Sequence, residues 1–141
     1  MSQTILVTGG AGYIGSHCCL ELLDAGHRVV VLDNLSNSSR EALVRVEALS
    51  GKRLVFEQVD LRDAEETSRV VGAHAFDAVI HFAGLKAVGE STEIPLKYYD
   101  NNVSGTLNLL VAMKKEGVRR LVFSSSCTVY GNPASLPIRE E

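Results

Sequence analysis

A glycine-rich segment, Thr8–His17, constrains the fold more than any other part of the chain. It reads TGGAGYIGSH and directly follows a short apolar run, Ile5–Val7. The first glycines of such a turn let the backbone leave a strand sharply and approach a pyrophosphate, and the last lets the next helix pack on the sheet. A strand-like run before it and a helical pattern after it favour a dinucleotide-binding turn over an ordinary loop. The glycines that satisfy G-x-G-x-x-G or the looser G-x-x-G-x-x-G are Gly9, Gly10, Gly12 and Gly15.

Composition excludes several classes of function. At 141 residues we expect one domain, and a net charge of −3 gives no electrostatic reason to expect nucleic acid or an anionic membrane as partner. No apolar run approaches the ~18 residues that span a bilayer. The N-terminus has neither the basic flank nor the apolar core of a secretory signal. We therefore expect a globular cytoplasmic protein.

The three cysteines, Cys18, Cys19 and Cys127, are odd in number and lack the spacing of a metal site. Cys18 and Cys19 are neighbours, which would strain a bridge between them. We interpret all three as reduced thiols and Cys127 as a small buried filler. No metal is expected.

Hydrophobic patterns predict five strands that alternate with helices. A continuous apolar run such as Arg28–Leu32 suits a parallel strand covered on both faces. The alternation predicts an α/β, Rossmann-type doubly wound parallel sheet with right-handed crossovers and strand order 3-2-1-4-5. The predicted strands are Thr4–Thr8, Arg28–Leu32, Leu54–Val59, Ala78–Phe82 and Arg120–Ser125. The predicted helices are Tyr13–Ala25, Arg40–Leu49, a short helix from a capping box at Asp63 and Glu66 to about Gly72, and a long one from about Leu96 to Glu116.

Two helical faces and one histidine receive specific interpretations. In the first helix, Ile14, Cys18 and Leu22 are expected to form the apolar face. In the last helix, a stripe made of Leu107, Leu110 and Val111 is interpreted as helix packing. His81 lies inside an apolar strand, so a hydrogen-bonded core histidine is favoured over a catalytic one.

Polar stretches fall at the carboxyl end of every predicted strand. In an open α/β sheet those ends line the ligand crevice at the switch point between strands 1 and 4. Asp33 stands 18 residues after Gly15, close to the spacing of the acid that binds the adenosine ribose, and its charge favours NAD over NADP. A turn aspartate is the alternative. The stretches are Gly9–Gly15, Asp33–Asn37, Asp60–Leu61, Ala83–Lys86 and Ser124–Ser126.

Five segments carry a resemblance to a known family. They are TGGAGYIGSH, LDNLSNS, HFAGLKAVGES, PLKYYDNNVSGT and FSSSCTVYG. Together they resemble the UDP-hexose 4-epimerases of the extended short-chain dehydrogenase/reductase family, from about Ile5 to the last residue. The resemblance implies tightly held NAD and interconversion of UDP-glucose and UDP-galactose through a 4-keto sugar.

The same resemblance assigns roles to individual residues. Ser126 would hydrogen-bond the sugar hydroxyl as the catalytic serine. Lys86, which spacing alone would leave as a solvated lysine, would lie near the nicotinamide ribose and the substrate. The residues implied at the NAD site are Gly9, Gly12, Tyr13, Ile14, Gly15, Asp33, Asn34, Leu35, Asn37, Asp60, Leu61, Phe82, Ala83, Gly84, Lys86, Asn101 and Ser124.

The family's Tyr-x-x-x-Lys pair, which supplies the base, is missing from this sequence. The residues four positions after the four tyrosines, Tyr13, Tyr98, Tyr99 and Tyr130, are His17, Asn102, Val103 and Ala134. We therefore interpret residues 1–141 as an incomplete NAD-binding domain without the sugar-nucleotide domain, inactive alone. The resemblance also implies that the long helix contributes to a homodimer. A related sugar-nucleotide dehydratase or uronate epimerase, and a stand-alone NAD-binding regulatory module, remain alternatives.

Overall fold

A five-stranded parallel sheet forms the centre of the protein. The computed structural model describes residues 1–133 and 135–140, except for the side chains of Cys127 and Thr128. The strand order is β3-β2-β1-β4-β5, with every neighbouring pair parallel, so the predicted α/β doubly wound sheet is confirmed. The strands are β1 (Thr4–Thr8), β2 (Arg28–Leu32), β3 (Val55–Glu57), β4 (Ala78–His81) and β5 (Leu121–Phe123). Among the described helices, none has the length and apolar character needed to cross a membrane.

In the part of the chain that the structure describes, six α-helices connect the strands, and the predicted long helix is composite. A π-helical segment, Asp100–Ser104, lies between α5 and α6, so the backbone widens in the middle of the segment expected to be one helix. A short helix, α4, was not predicted. A 3₁₀ turn at Cys127–Tyr130 follows β5. The α-helices are α1 (Tyr13–Asp24), α2 (Arg40–Ser50), α3 (Ala64–Ala73), α4 (Val88–Glu93), α5 (Pro95–Tyr99) and α6 (Gly105–Lys115).

The core consists of two apolar layers, one on each face of the sheet. Alternate residues of β1 and β2 point to opposite layers, which is why both strands are apolar throughout. One layer contains Leu6, Val30, Val70, Val71, Leu109 and Met113, with side chains from α3 and α6. The other contains Val7, Val31, Cys19, Leu23, Leu43 and Val46, with side chains from α1 and α2.

The buried face of α1 differs from the predicted one by a rotation of one residue. Gly15, Cys19 and Leu23 are buried, whereas Ile14 is 60% exposed. The close approach of α1 to the preceding turn explains the difference. A Cβ on Gly15 would stand 2.2 Å from the Gly9 carbonyl oxygen, so this position must face inward. The prediction of Ile14, Cys18 and Leu22 as the apolar face was therefore wrong for Ile14, whereas Leu22 is partly buried and packs against the core from the edge of the buried face.

The apolar stripe on α6 also lies elsewhere than expected. Leu107, Leu110 and Val111 are exposed, and the helix packs on the sheet through Leu109, Ala112 and Met113 instead. The interpretation of the stripe as packing within this chain was wrong. The structure leaves this apolar face in contact with solvent.

Glycines and a side-chain cap mark several helix ends. Gly26 and Gly51 have φ values of 88° and 65° just after α1 and α2, a left-handed conformation that glycine adopts readily at a helix C-terminus. Asp63 caps α3 by accepting from the Glu65 and Glu66 amides. The predicted reciprocal bond of a capping box does not appear among the described contacts, since the Glu66 carboxylate accepts from Arg69 at 2.9 Å.

Cys18 and Cys19 are free thiols. Burial raises the pKa of Cys19 to about 12, with smaller contributions from Cys18 and Asp33, so this thiol is inert as a nucleophile. The side chain of Cys127, expected as a buried filler, lies outside the described part of the structure.

Candidate functional site

One cavity of about 390 Å³ opens at the carboxyl ends of the strands. It lies where the sequence placed the ligand crevice, around the switch point between β1 and β4. Each of the five predicted polar stretches contributes to its wall. The lining residues are Gly9, Gly12, Tyr13, Ile14, Gly15, Leu32, Asp33, Asn34, Ser36, Asn37, Val59, Asp60, Leu61, Phe82, Ala83, Gly84, Leu85, Lys86, Asn101 and Ser124.

Two of the glycines are required by the turn itself. Gly9 has a φ of 70°, and a Cβ there would stand 2.7 Å from the Ala83 amide nitrogen. A Cβ on Gly15 would collide with the Gly9 carbonyl oxygen. Both positions therefore need glycine for packing, whether or not a ligand is present.

Gly12 is less restricted by the protein than Gly9 and Gly15. A Cβ on Gly12 would meet only the Gly9 carbonyl oxygen, at 3.3 Å, a tight contact that a shift of a few tenths of an ångström would relieve, and the backbone there is extended, with φ −74°. Protein packing alone therefore opposes a side chain at this position only mildly. A ligand that approaches the backbone from the cavity would oppose it further.

The N-terminus of α1 opens onto this cavity next to Gly12. The first N–H groups of a helix have no partner within the helix and carry a partial positive charge. Side chains cap the two following helices, Ser39 on α2 and Asp63 on α3. No described side chain caps α1, and its first turn holds no acidic residue. These N–H groups are therefore available to an anion such as a phosphate.

Asp33 lies at the end of β2 and lines the cavity while only 7% exposed. Its Oδ2 accepts from the Ala11 amide at 3.0 Å, and its Oδ1 accepts from the Leu35 amide and the Ser38 hydroxyl, both at 2.9 Å. A carboxylate offers about four acceptor positions. The group is thus held in place and retains capacity for one further donor from the cavity.

Asp60, in the segment that follows β3, forms the next part of the cavity wall. Arg62 contacts both carboxylate oxygens, with Nε 3.0 Å from Oδ1 and Nη2 2.8 Å from Oδ2. The Asn34 amide donates to Oδ2 at 2.9 Å. The Arg62 guanidinium holds the pKa of Asp60 well below its usual range. Asp60 is therefore ionised at neutral pH, and its oxygens face Asn34 and the cavity.

Asn101 and Asn102 reach the site from the π-helix. Asn101 lines the cavity, and its side-chain amide donates to Asn102 Oδ1 at 2.9 Å. Asn102 in turn bonds both backbone groups of Leu85, accepting from its N–H at 2.8 Å and donating to its carbonyl at 3.0 Å. The irregular segment between α5 and α6 thereby fixes the loop that carries Lys86.

His81 is a buried histidine, as the sequence predicted. It is 3% exposed and lies between the hydroxyls of Thr8 and Thr106. Burial, and then the positive charge of Lys86, lowers its pKa to about 4. The ring is therefore neutral at physiological pH.

Most of the predicted site residues meet in the cavity. Leu35 does not line it; its backbone, at φ 59°, instead donates to Asp33. Ser126 lies outside the lining, two residues beyond Ser124, and its carbonyl accepts from the Val129 amide. In the described part of the chain, no cluster of three or more His, Cys, Asp or Glu residues could hold a metal.

Sequence reasoning missed four lining residues. Leu32 and Val59 immediately precede the predicted acids at the ends of their strands, and Ser36 and Leu85 lie inside predicted stretches without being singled out. Extending each predicted segment by one residue towards its strand would have found the first two. The local sequence carries no chemical signal for the others.

The chain matches the NAD dependent epimerase/dehydratase family over residues 5–141. It is 62% identical over 139 residues to the UDP-glucose 4-epimerase of Bacillus subtilis (strain 168). The matched residues make up 99% of this chain and 41% of that protein.

Solved structures show the same similarity. The UDP-glucose 4-epimerase from Bifidobacterium longum in complex with NAD+ and UDP superposes with a TM-score of 0.94 at 54% identity, over 98% of this chain and 41% of that chain. The UDP-glucose 4-epimerase from Stenotrophomonas maltophila with bound NAD and formylated UDP-arabinopyranose superposes with a TM-score of 0.93 at 52% identity, also over 98% of this chain and 41% of that chain. The chain thus spans about 41% of the length of these relatives. With a family match over residues 5–141, the chain belongs to the NAD dependent epimerase/dehydratase family.

Proposed function

We propose that this chain binds NAD in the cavity at the carboxyl ends of the strands and serves as the cofactor-binding portion of a UDP-glucose 4-epimerase. One observation carries the proposal: the uncapped N-terminus of α1, the backbone of Gly12 and the carboxylate of Asp33 line the same cavity. The first two suit a pyrophosphate and the third suits a ribose hydroxyl. The solved relatives that hold NAD support the same ligand.

The residues present fit NAD better than NADP. Asp33 has three protein donors and retains acceptor capacity on the cavity side, which matches a neutral ribose hydroxyl. A 2′-phosphate would bring a second negative charge against this buried carboxylate. The proposal is therefore specific for the unphosphorylated cofactor.

In the proposed epimerase, NAD when bound supplies the acceptor and donor of the hydride exchanged at C4 of the hexose. The residues of this chain bind and orient. Lys86 and Ser124 line the cavity, which supports the assignment of Lys86 near the nicotinamide ribose and of Ser124 to the NAD site. Ser126, from the same Ser124–Ser126 segment, is proposed to hydrogen-bond the sugar hydroxyl of UDP-glucose or UDP-galactose.

We propose that the 141-residue chain binds NAD without epimerising UDP-sugars. None of its four tyrosines is followed by lysine four positions later, so the Tyr-x-x-x-Lys base that the resemblance requires is missing from the sequence. A positioned acid or base contributes ~10²–10⁴-fold to such a reaction. The free thiols of Cys18 and Cys19 support a reducing compartment such as the cytoplasm as its location.

The exposed stripe on α6 supports a homodimer as part of the proposal. Leu107, Leu110 and Val111 are 55%, 39% and 67% exposed, and they form one apolar strip on a single helix. Apolar side chains clustered on one face mark interaction surfaces more often than side chains exposed singly. A second copy of this chain is the proposed occupant, because the resemblance places a homodimer interface on this helix.

Calorimetric titration of the purified chain with NAD tests the proposal, with NADP as the matched control. We expect saturable binding of NAD at one site and binding of NADP at least about tenfold weaker, which corresponds to ~1.4 kcal/mol. The same sample, incubated with UDP-galactose and NAD, should form no UDP-glucose. Absence of NAD binding by a folded sample would contradict the cofactor assignment, and formation of UDP-glucose would contradict the proposed inactivity.

A further inference from the structure

A chain of hydrogen bonds, buried at its start and partly buried at its end, runs from β1 through β4 to the start of α6. Thr8, His81 and Thr106 are its side chains, and the Asn102 carbonyl is its end. The Thr106 hydroxyl donates to the Asn102 carbonyl at 2.8 Å, so its single hydrogen is already used. The His81 Nε2 atom, 2.9 Å from the same hydroxyl oxygen, must therefore be the donor to it.

This geometry determines the tautomer of His81. A neutral imidazole carries one N–H, and Nε2 has it, so Nδ1 is an acceptor. The Thr8 hydroxyl, 2.5 Å from Nδ1, is then the donor. The low pKa of the ring supports the neutral form. Each group in the chain donates once in the same direction, from Thr8 towards Asn102.

The end of this chain coincides with the support of the cofactor cavity. The Asn102 side chain bonds both backbone groups of Leu85 and accepts from the Asn101 amide. Leu85, its neighbour Lys86 and Asn101 all line the cavity. Asn102 lies in the π-helical segment, where the backbone departs from the regular α-helical pattern, as it frequently does at functional sites.

We infer that His81 is a positioning residue, which acts through Thr106 and Asn102 to hold Leu85, Lys86 and Asn101 at the cofactor cavity. The ring itself does not line the cavity and touches no reacting atom. The inference rests on the proposed function, since NAD affinity is its main readout. It goes beyond that function because it links the position of the cavity wall to the tautomer of His81, a ring that does not itself line the cavity.

Three variants separate positioning from plain stability. Thr106→Val removes the hydroxyl at constant shape and breaks the chain on the side of Asn102. Thr106→Ser restores the hydroxyl. Thr8→Val is the matched control, because it removes a buried hydroxyl from the other side of the same ring and leaves the Nε2 donor to Thr106 intact.

NAD affinity and melting temperature are measured for each variant. We expect Thr106→Val to weaken NAD binding about tenfold, the size of one lost hydrogen bond, and Thr106→Ser to stay within about threefold of the parent. Thr8→Val should lower the melting temperature as much as Thr106→Val and leave NAD affinity within about threefold. Equal loss of affinity in Thr8→Val and Thr106→Val, or no loss in Thr106→Val, would overturn the inference.

Two measurements without ligand keep the inference separate from the proposed function. The ¹⁵N resonances of the His81 ring should show protonation at Nε2, and the Leu85 amide should exchange faster in Thr106→Val than in Thr8→Val. Protonation at Nδ1, or equal exchange in the two variants, overturns the inference even when NAD binds. If the parent chain does not bind NAD while both ligand-free results hold, the proposed function fails and the positioning of Leu85 by Thr106 stands.

Discussion

The Ala11 amide donates a hydrogen bond to the Asp33 carboxylate at 3.0 Å, joining the glycine turn after β1 to the end of β2. The carboxylate is buried, and its other oxygen accepts from Leu35 and Ser38. Asp33 therefore does two things that sequence analysis treated as alternatives. It organises a turn, and it faces the cavity where a ribose hydroxyl is expected.

Asp33→Asn should reduce both stability and NAD affinity. Asparagine replaces one carboxylate oxygen with an NH2 group, which donates and does not accept. That NH2 group would face either the Ala11 N–H or the donors of Leu35 and Ser38, and these donors would lose their acceptor. We expect the free energy of unfolding to fall by about 1–3 kcal/mol, as for a buried donor left without a partner. Urea denaturation measures this change.

Asp63→Asn is the control for that substitution. Asp63 caps α3, and asparagine caps helices about as well as aspartate, so stability should change little. A loss of stability in Asp63→Asn as large as in Asp33→Asn would contradict the account of Asp33.

Gly12→Ala and Gly15→Ala should separate ligand binding from folding. A methyl group on Gly15 would collide with the Gly9 backbone, and overpacking of this kind costs about 1–3 kcal/mol or more. A methyl group on Gly12, which lines the cavity, would stand 3.3 Å from the Gly9 carbonyl oxygen, so stability should fall by less than for Gly15→Ala while NAD affinity falls about tenfold, or ~1.4 kcal/mol. Thermal unfolding and NAD titration of both variants check the contrast. The reverse pattern would be inconsistent with the ligand lying beside Gly12.

Stability should fall as the pH is lowered from about 6.5 to about 4, because of His81. The pKa of an unfolded histidine is ~6.5, and that of folded His81 is about 4. Between these values the unfolded chain binds one more proton, so acid favours unfolding; the contribution is complete above pH ~6.5 and is lost on approaching pH 4. The shift corresponds to about 3 kcal/mol.

Urea denaturation between pH 4 and pH 7 measures this slope, and His81→Gln is the comparison. Glutamine does not titrate, so its slope in this window should be smaller. The stability contributed by Asp60 is lost mainly below pH 4, because an unfolded aspartate has a pKa of ~3.9 and the pKa of folded Asp60 is lower still. Equal slopes in the two proteins would show that the acid sensitivity comes from elsewhere.

The α6 stripe should mediate reversible self-association. Val111→Glu places a charge on the most exposed residue of the stripe and should shift the protein to the monomer in sedimentation velocity experiments. Val44→Glu is the control, since Val44 is 50% exposed on α2, away from the stripe. The proposed interface would be wrong if the parent chain were monomeric at all concentrations or if both variants behaved alike.

The sheet order and most of the cavity were predictable because they follow from local patterns. An apolar run followed by Gly9, Asp33 or Asp60 identifies a strand. It also shows that the polar residue lies at the carboxyl end of that strand, where the cavity forms. The buried face of α1 was not predictable from periodicity, because the contact between Gly15 and Gly9 sets the rotation of the helix.

The chain from Thr8 to Asn102 could not be predicted either. Its members are 73 and 25 residues apart along the sequence, and only the register of β1 against β4 brings Thr8 beside His81. The π-helix likewise has no signal in the residues of the long segment, which read as one continuous helix. Contacts of this kind depend on packing between elements, and the hydrophobic pattern of each element alone does not contain them.

The most direct test of the central claim is a ¹H–¹⁵N correlation spectrum of the chain titrated with NAD. We predict shifts for amides around the cavity, in the glycine turn near Gly12, after β2 near Asn34, and in the loop that carries Lys86. Amides at the opposite end of the sheet, near Gln3 and His27, should not move. Shifts confined to that end or to α6, or an unchanged spectrum at saturating NAD, would contradict the claim that this cavity is the cofactor site.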